Sequence, residues 1–223
     1  KKSVNLKLNI DIPLPQKGAK PATPARTGLD EHQKNAVENE HSQLLITAGP
    51  GSGKTTVLTK RIEYLITKGI APENCLAVTF TRRAAQEMRD RLSKLVGEKA
   101  NFINIHTFHS LCFSILKKHS DADFVVMSEQ EKALCKDETL LKNAISFDDL
   151  INLTVKLFEE NSEILQLYQG IFKYVSVDEY QDIDENQYKL IRLLVSKTGN
   201  IFVIGDPNQA IYGFRGGNAK FFI

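Results

Sequence analysis

Apolar residues follow two alternating rhythms along this chain. Runs at about 43–48, 75–80, 101–105, 173–178 and 200–205 are short and nearly continuous, the mark of strands buried on both faces. Between them, over about 54–68, 82–96, 107–118 and 184–196, apolar positions recur every three or four residues and predict helices. Strand and helix in strict alternation predict an α/β fold, a parallel sheet flanked by helices. A longer helical stretch over about 128–170 interrupts the alternation, with Ser128 and Glu131 spaced as a capping box and a break at Asn161 or Ser162. This predicts a short helical insertion.

The first 28 residues obey a different pattern. Val4, Leu6, Leu8, Ile10 and Ile12 alternate with other residues as in a half-buried strand, and four of the seven prolines then fall between Pro13 and Pro24. A strand followed by an extended linker is expected over 1–28, and a domain over 29–223. Six Lys and Arg residues face only Asp11 in this tail, which reads as a solvated basic linker in preference to a DNA-binding arm. The chain opens on Lys1, so a piece of a longer polypeptide is expected.

Composition narrows the classes. With 42% hydrophobic and 25% charged residues the chain has the make-up of an ordinary soluble domain, and a net charge of +2 does not by itself argue for nucleic acid. Cys75, Cys112 and Cys135 form no CxxC pair, which argues against a disulfide scaffold or zinc site and for a reducing cytoplasm. No apolar run reaches transmembrane length, so no membrane partner is expected.

The segment from Ala48 to Thr56, through Gly49, Pro50, Gly51, Ser52, Gly53, Lys54 and Thr55, lies between the first long apolar run and a predicted helix. Its glycines allow successive amides to turn inward, and the helix directs its positive end to the same point, so the loop suits phosphate. In the P-loop pattern Lys54 reaches the β- and γ-phosphates of ATP and the Thr55 hydroxyl ligates Mg²⁺; here Ala48 replaces the first glycine. A metal partner and a water activator are both offered by "YVSVDEYQD" at 174–182. Asp178 can hold Mg²⁺, and Glu179 can orient and deprotonate the attacking water.

Several ordered segments across 29–217 resemble the first motor domain of the UvrD/Rep family of superfamily 1 DNA helicases. They are "LDEHQKNAV", "AGPGSGKT", "VTFTRRAAQEM", "IHTFHSLC", "FDDL", "VDEYQD" and "VIGDPNQAIYGFRGG". The resemblance implies a RecA-like P-loop NTPase domain, with ATP and Mg²⁺ as cofactors and single-stranded DNA and duplex junctions as partners. It implies that Gln33 reads the adenine and that Gln209 senses the γ-phosphate and passes its state to Tyr212 and Phe214. Phe214 would stack on a base and Phe80 line a base pocket, while Thr81, Thr107 and His109 touch the sugar-phosphate backbone. Stacking on aromatic rings tolerates any sequence, which makes Phe80, Phe108, Tyr212 and Phe214 candidates on physical grounds as well; singly, Phe80 and Phe108 read as core.

The chain departs from the family pattern at three places. Thr56 stands where an arginine often flanks the adenine, Arg82-Arg83 replaces the usual Asn-Lys, and only a reduced accessory insertion, about 120–146, precedes "FDDL". The resemblance also implies a second motor domain of the same polypeptide, with arginines that complete the ATP site, absent from these 223 residues. The expected function is the ATP- and DNA-binding N-terminal domain of an ATP-dependent helicase or translocase, weak or inactive as an isolated piece. The alternative is a nucleotide-gated DNA-binding or repair-complex ATPase that does not unwind. A small-molecule P-loop kinase has no use for the "GDPNQAIYGFRGG" segment.

Overall fold

The computed structural model describes residues 5–7, 28–119, 124–195 and 199–206. Five parallel strands form the core of the sheet: β2 (Gln43–Thr47), β3 (Cys75–Thr79), β4 (Asn104–Thr107), β7 (Tyr174–Val177) and β8 (Asn200–Gly205), with β1 (Asn5–Lys7) paired parallel outside β2. The strand order is β1-β2-β8-β7-β3-β4. Helices α1 (Glu31–Glu38), α2 (Lys54–Thr67) and α3 (Arg82–Val96) pack on one another and on one face of the sheet. On the other face lie α4 (Phe108–His119), α7 (Phe147–Glu160), α8 (Ser162–Ile171) and α9 (Glu185–Leu194).

The period of two along each strand feeds both layers. Leu76 and Val78 of β3 join the core under α4 and α7, whereas Cys75 and Ala77 join that under α2 and α3. All of β3 is buried, which explains why it reads as one continuous apolar run. The helices begin where short polar side chains can satisfy orphan amides. Asp30 with Gln33, Ser146 with Asp149 and Asp184 with Gln187 form reciprocal capping boxes at α1, α7 and α9.

Two predicted elements shift. The strand expected over 101–105 occupies Asn104–Thr107, because Gly97–Phe102 coils into a 3-10 segment that leaves Phe102 exposed. The expected helical stretch over 128–170 consists of α5 (Glu129–Leu134), α6 (Glu138–Lys142), α7 and α8, with the Ser128–Glu131 capping box formed and the break at Asn161. β5 (Val125–Val126), just before this stretch, pairs in parallel with β6 (Ala144–Ile145) inside it, both too short for periodicity to reveal. Asn5–Lys7 falls inside the predicted N-terminal strand, while the rest of that strand and the proline-rich linker lie outside the described residues.

Candidate nucleotide and single-strand site

Parallel topology delivers the C-terminal ends of β2, β7 and β8 to one rim of the sheet. The glycine-rich loop leaves β2 there, Asp178 and Glu179 leave β7, and Asp206 ends β8. The rim is where open α/β sheets carry ligands.

The loop has the conformation its glycines permit. Gly51 and Gly53 have φ of 72° and 83°, where a side chain would be strained. Ser52 Oγ donates to the Gly49 carbonyl at 2.6 Å and tightens the turn. Helix α2 then starts at Lys54 with no side-chain cap, so its first amides are left for an external acceptor such as phosphate. Gln33, held by the α1 capping box, donates from Nε2 to the Ser52 carbonyl at 2.8 Å and thereby fastens the start of α1 to the loop.

Lys54 Nζ lies 3.2 Å from Glu179 Oε2, with the lysine side chain only 9% exposed. Asp178 is buried; its Oδ1 accepts the Glu179 N–H at 2.9 Å, and the Thr55 hydroxyl sits 3.4 Å from its Oδ2. Burial first, and the neighbouring Glu179 charge second, push the Asp178 carboxyl up to about 6 despite Lys54 and Thr55. Such a carboxylate next to a hydroxyl suits a hard divalent cation, which would relieve the repulsion. Glu179 has φ of 49°, the single non-glycine residue with positive φ among those described. That backbone turn brings two successive carboxylates to the phosphate loop, at the modest cost of a left-handed residue.

The strand-contact residues divide. Phe80, partly buried at the end of β3, packs edge-on against Phe108 at 5.4 Å. Phe108 is 1% exposed and belongs to the core, so it is removed from the stacking candidates. Thr81 is exposed and caps α3, its Oγ1 accepting the Ala84 N–H at 3.0 Å. Thr107 is buried, its Oγ1 accepting the Ser110 N–H and its own amide donating to Ser110 Oγ, so that it caps α4. His109 is half-buried and meets the ring of Phe147 edge-on at 5.9 Å. Burial lowers its pKa, against the opposing pull of Asp148 and Asp184, which favours the neutral ring. Gln209, Tyr212 and Phe214 lie outside the described residues.

Two residues escaped the sequence reading. Phe147, the first residue of "FDDL", holds an exposed ring beside His109. Arg91 of α3 reaches back to α2, its Nη1 donating to Thr56 Oγ1 at 3.1 Å. Thr56 stands where the family often has an arginine, so a guanidinium occupies the same side of the loop from another element.

A parallel α/β sheet with this loop and these carboxylates on one rim defines a RecA-like P-loop domain. Its sequence matches the UvrD/REP helicase N-terminal domain over residues 29–141 and 130–223. The chain belongs to that family. Relatives include the ATP-dependent DNA helicase PcrA of Staphylococcus aureus strain Mu50, 37% identical over 86% of this chain. PcrA of Staphylococcus epidermidis strain RP62A is 36% identical over the same share. The chain spans 35% of the length of these relatives. No described helix is long and apolar enough to cross a membrane.

Proposed function

We propose that this chain is the nucleotide-binding, single-strand-gripping first motor domain of an ATP-dependent DNA helicase. The observation that carries the reading is the meeting of Lys54 and Thr55 with Asp178 and Glu179, from strands separated by β8, at the open end of α2. On nucleotide binding Lys54 exchanges Glu179 for the β- and γ-phosphate oxygens. Glu179, so released, orients a water and takes its proton as the water oxygen bonds to the γ-phosphorus. The bond to the β,γ-bridging oxygen breaks and ADP departs with the electron pair. Thr55 and Asp178 would hold Mg²⁺, which neutralises phosphate charge when bound. Gln33 reads the base, and Ala48 to Thr56 form the cradle.

The strand-facing surface comprises Phe80, Thr81, Thr107, His109 and the newly found Phe147; by the family resemblance Tyr212 and Phe214 share the task and Gln209 senses the γ-phosphate. Exposed aromatic rings beside helix starts suit unstacked bases and their phosphates. The domain runs from 29 to 223 with a reduced insertion at about 120–146. Two observations support a reduced insertion: the family match falls in two pieces that overlap at 130–141, and the PcrA alignment extends over 254 positions, more than the 223 residues of this chain. Arginines completing the ATP site, a second motor domain and contacts with duplex junctions are assigned to other parts of the polypeptide. A cytoplasmic setting agrees with the free, buried Cys75 and Cys112.

In the full-length polypeptide, Glu179→Gln should retain nucleotide binding and lose about 10²–10⁴-fold in phosphate release. Turnover near that of the unaltered protein would remove Glu179 from the mechanism. The reading of an ATPase that never unwinds is less favoured, since the named relatives are helicases. A strand-displacement assay separates the two.

A further inference from the structure

We propose that Gln181 is a positioning residue that ties the water-activating carboxylate to the main chain at the end of β8, so that movement of one is felt by the other. Gln181 Nε2 donates to Glu179 Oε2 at 2.7 Å, and Gln181 Oε1 accepts the Asp206 N–H at 2.9 Å. The side chain is 3% exposed. Both ends of one amide are thus committed, in the only orientation that faces N–H to carboxylate and carbonyl to N–H.

The surrounding sequence is fitted to this link. A methyl group at Gly205 would run into Gln181 Oε1 and approach the Gln181 and Tyr180 amides, so the glycine before Asp206 leaves room for the bridge. Glu179 Oε2 receives Lys54 as well as Gln181. When phosphate draws Lys54 away, Gln181 is the partner that still fixes the carboxylate. This inference rests on the reading of Glu179 as the water activator. The peptide continuing from Asp206 leads to Gln209, Tyr212 and Phe214, outside the described residues. A shift of that peptide on strand binding would therefore be carried through the Asp206 amide to the position of Glu179.

A positioning residue need not affect affinity, but misplacing a reacting group by about 1 Å can cost about 10²-fold in rate. The test is ATP turnover by the full-length polypeptide with and without single-stranded DNA, together with the affinity for a non-hydrolysable ATP analogue and the thermal midpoint. Gln181→Met, which keeps the shape and removes both hydrogen bonds, should lower DNA-stimulated kcat about 10²-fold while analogue affinity changes less than about twofold. The ratio of stimulated to unstimulated turnover should collapse toward one. Gln181→Glu, which keeps the acceptor for Asp206 but loses the donor to Glu179, should fail to restore that ratio. Gly205→Ala perturbs the link from the other side. It should reproduce the loss of stimulation, and its effect should be non-additive with Gln181→Met.

A merely structural role would lower stimulated and unstimulated rates by one factor, in step with the thermal midpoint, and that result overturns the proposal. So would full stimulation in Gln181→Met. If Gln181→Met does not fold, Gly205→Ala decides the matter on the same ratio. The outcome is separable from the reading on which it rests. Loss of turnover in Glu179→Gln with full stimulation in Gln181→Met sinks only the bridge, whereas turnover in Glu179→Gln sinks the assignment of Glu179.

Discussion

The phosphate end of the site and its strand-facing end are built by different means. At the phosphate end Lys54 and Asp178 are buried, Glu179 is half-exposed, and the charges are already partnered: Lys54 with Glu179, Asp178 with the Glu179 amide and the Thr55 hydroxyl. At the strand-facing end the recurring features are rings at the surface and hydroxyls spent on helix caps, as Thr81 and Thr107 are. The difference follows from the ligands. Phosphate charge is concentrated in a small volume, so it rewards preorganised donors in a fixed cradle. A strand of arbitrary sequence offers flat bases, and stacking rewards exposed aromatic area without fixed geometry.

Two phenylalanines near the strand-facing end, one in the core and one at the surface, give the largest contrast. Phe108 is fully buried and touches Phe80, so Phe108→Ala should destabilise the domain by about 3–5 kcal/mol, read from chemical denaturation of the chain. Phe147 is 47% exposed. Phe147→Ala should leave stability nearly intact and weaken single-strand binding by about 1–3 kcal/mol, measured by fluorescence anisotropy of a labelled oligonucleotide. Its salt dependence should be unchanged, since no phosphate contact is removed. A large stability loss in Phe147→Ala, with binding unaffected, would move Phe147 from the strand surface to the structural set.

The same division explains what the sequence disclosed. Lys54, Thr55, Asp178 and Glu179 were legible because a cradle built from backbone and adjacent side chains demands fixed local spacing between a strand and a helix. β3 was legible because burial on both faces leaves an uninterrupted apolar run, whereas β4, whose burial alternates, was displaced in the reading by three residues at its start. Phe147 was hidden by its neighbours: it sits inside the Ser146–Asp149 capping box, within a stretch read as one helical run, and nothing local reveals that its ring faces His109. Arg91 sits at an ordinary solvent position of α3, and only the packing of α3 beside α2 gives it Thr56 as a partner. Thr107 carries a second feature that its motif does not announce, a local exchange of hydrogen bonds with Ser110.

A smaller effect tests whether the phosphate end stores unfavourable charge for its cation. Asp178 has its carboxyl pushed up to about 6 from an ordinary value of 3.8, so the folded protein resists its ionisation more than the unfolded chain does. The penalty is fully present above about pH 6, declines as pH falls toward 3.8, and is gone below that. Near pH 7.5, without Mg²⁺, Asp178→Asn should therefore stabilise the domain by about 2–3 kcal/mol while impairing Mg²⁺-dependent nucleotide binding. The advantage over the unaltered protein should shrink between pH 6 and 4 in denaturation midpoints. An unchanged or lowered midpoint at pH 7.5 would show that Lys54 and Thr55 already compensate the charge.

The smallest effect concerns the border between the two ends, where Thr56 of α2 meets Arg91 of α3. Arg91 donates to Thr56 Oγ1 at 3.1 Å, and Thr56 lies beside Gly53, whose missing side chain makes room for the Gln33 amide. Gln33 on one side and the Arg91 guanidinium on the other thus bracket the mouth of the cradle. An exposed hydrogen bond of this kind contributes about 0.5–1.5 kcal/mol, so Arg91→Ala should weaken ATP binding by roughly two- to tenfold. If Arg91 acts on the base, tripolyphosphate, which has none, should bind Arg91→Ala and the unaltered protein alike. Thr56→Val, which removes the anchor but leaves the cation, should give an intermediate loss for ATP. Equal weakening toward ATP and tripolyphosphate would mean that Arg91 acts through the phosphate cradle, as part of the electrostatics of the preorganised end. The guanidinium would then not replace the missing arginine at position 56.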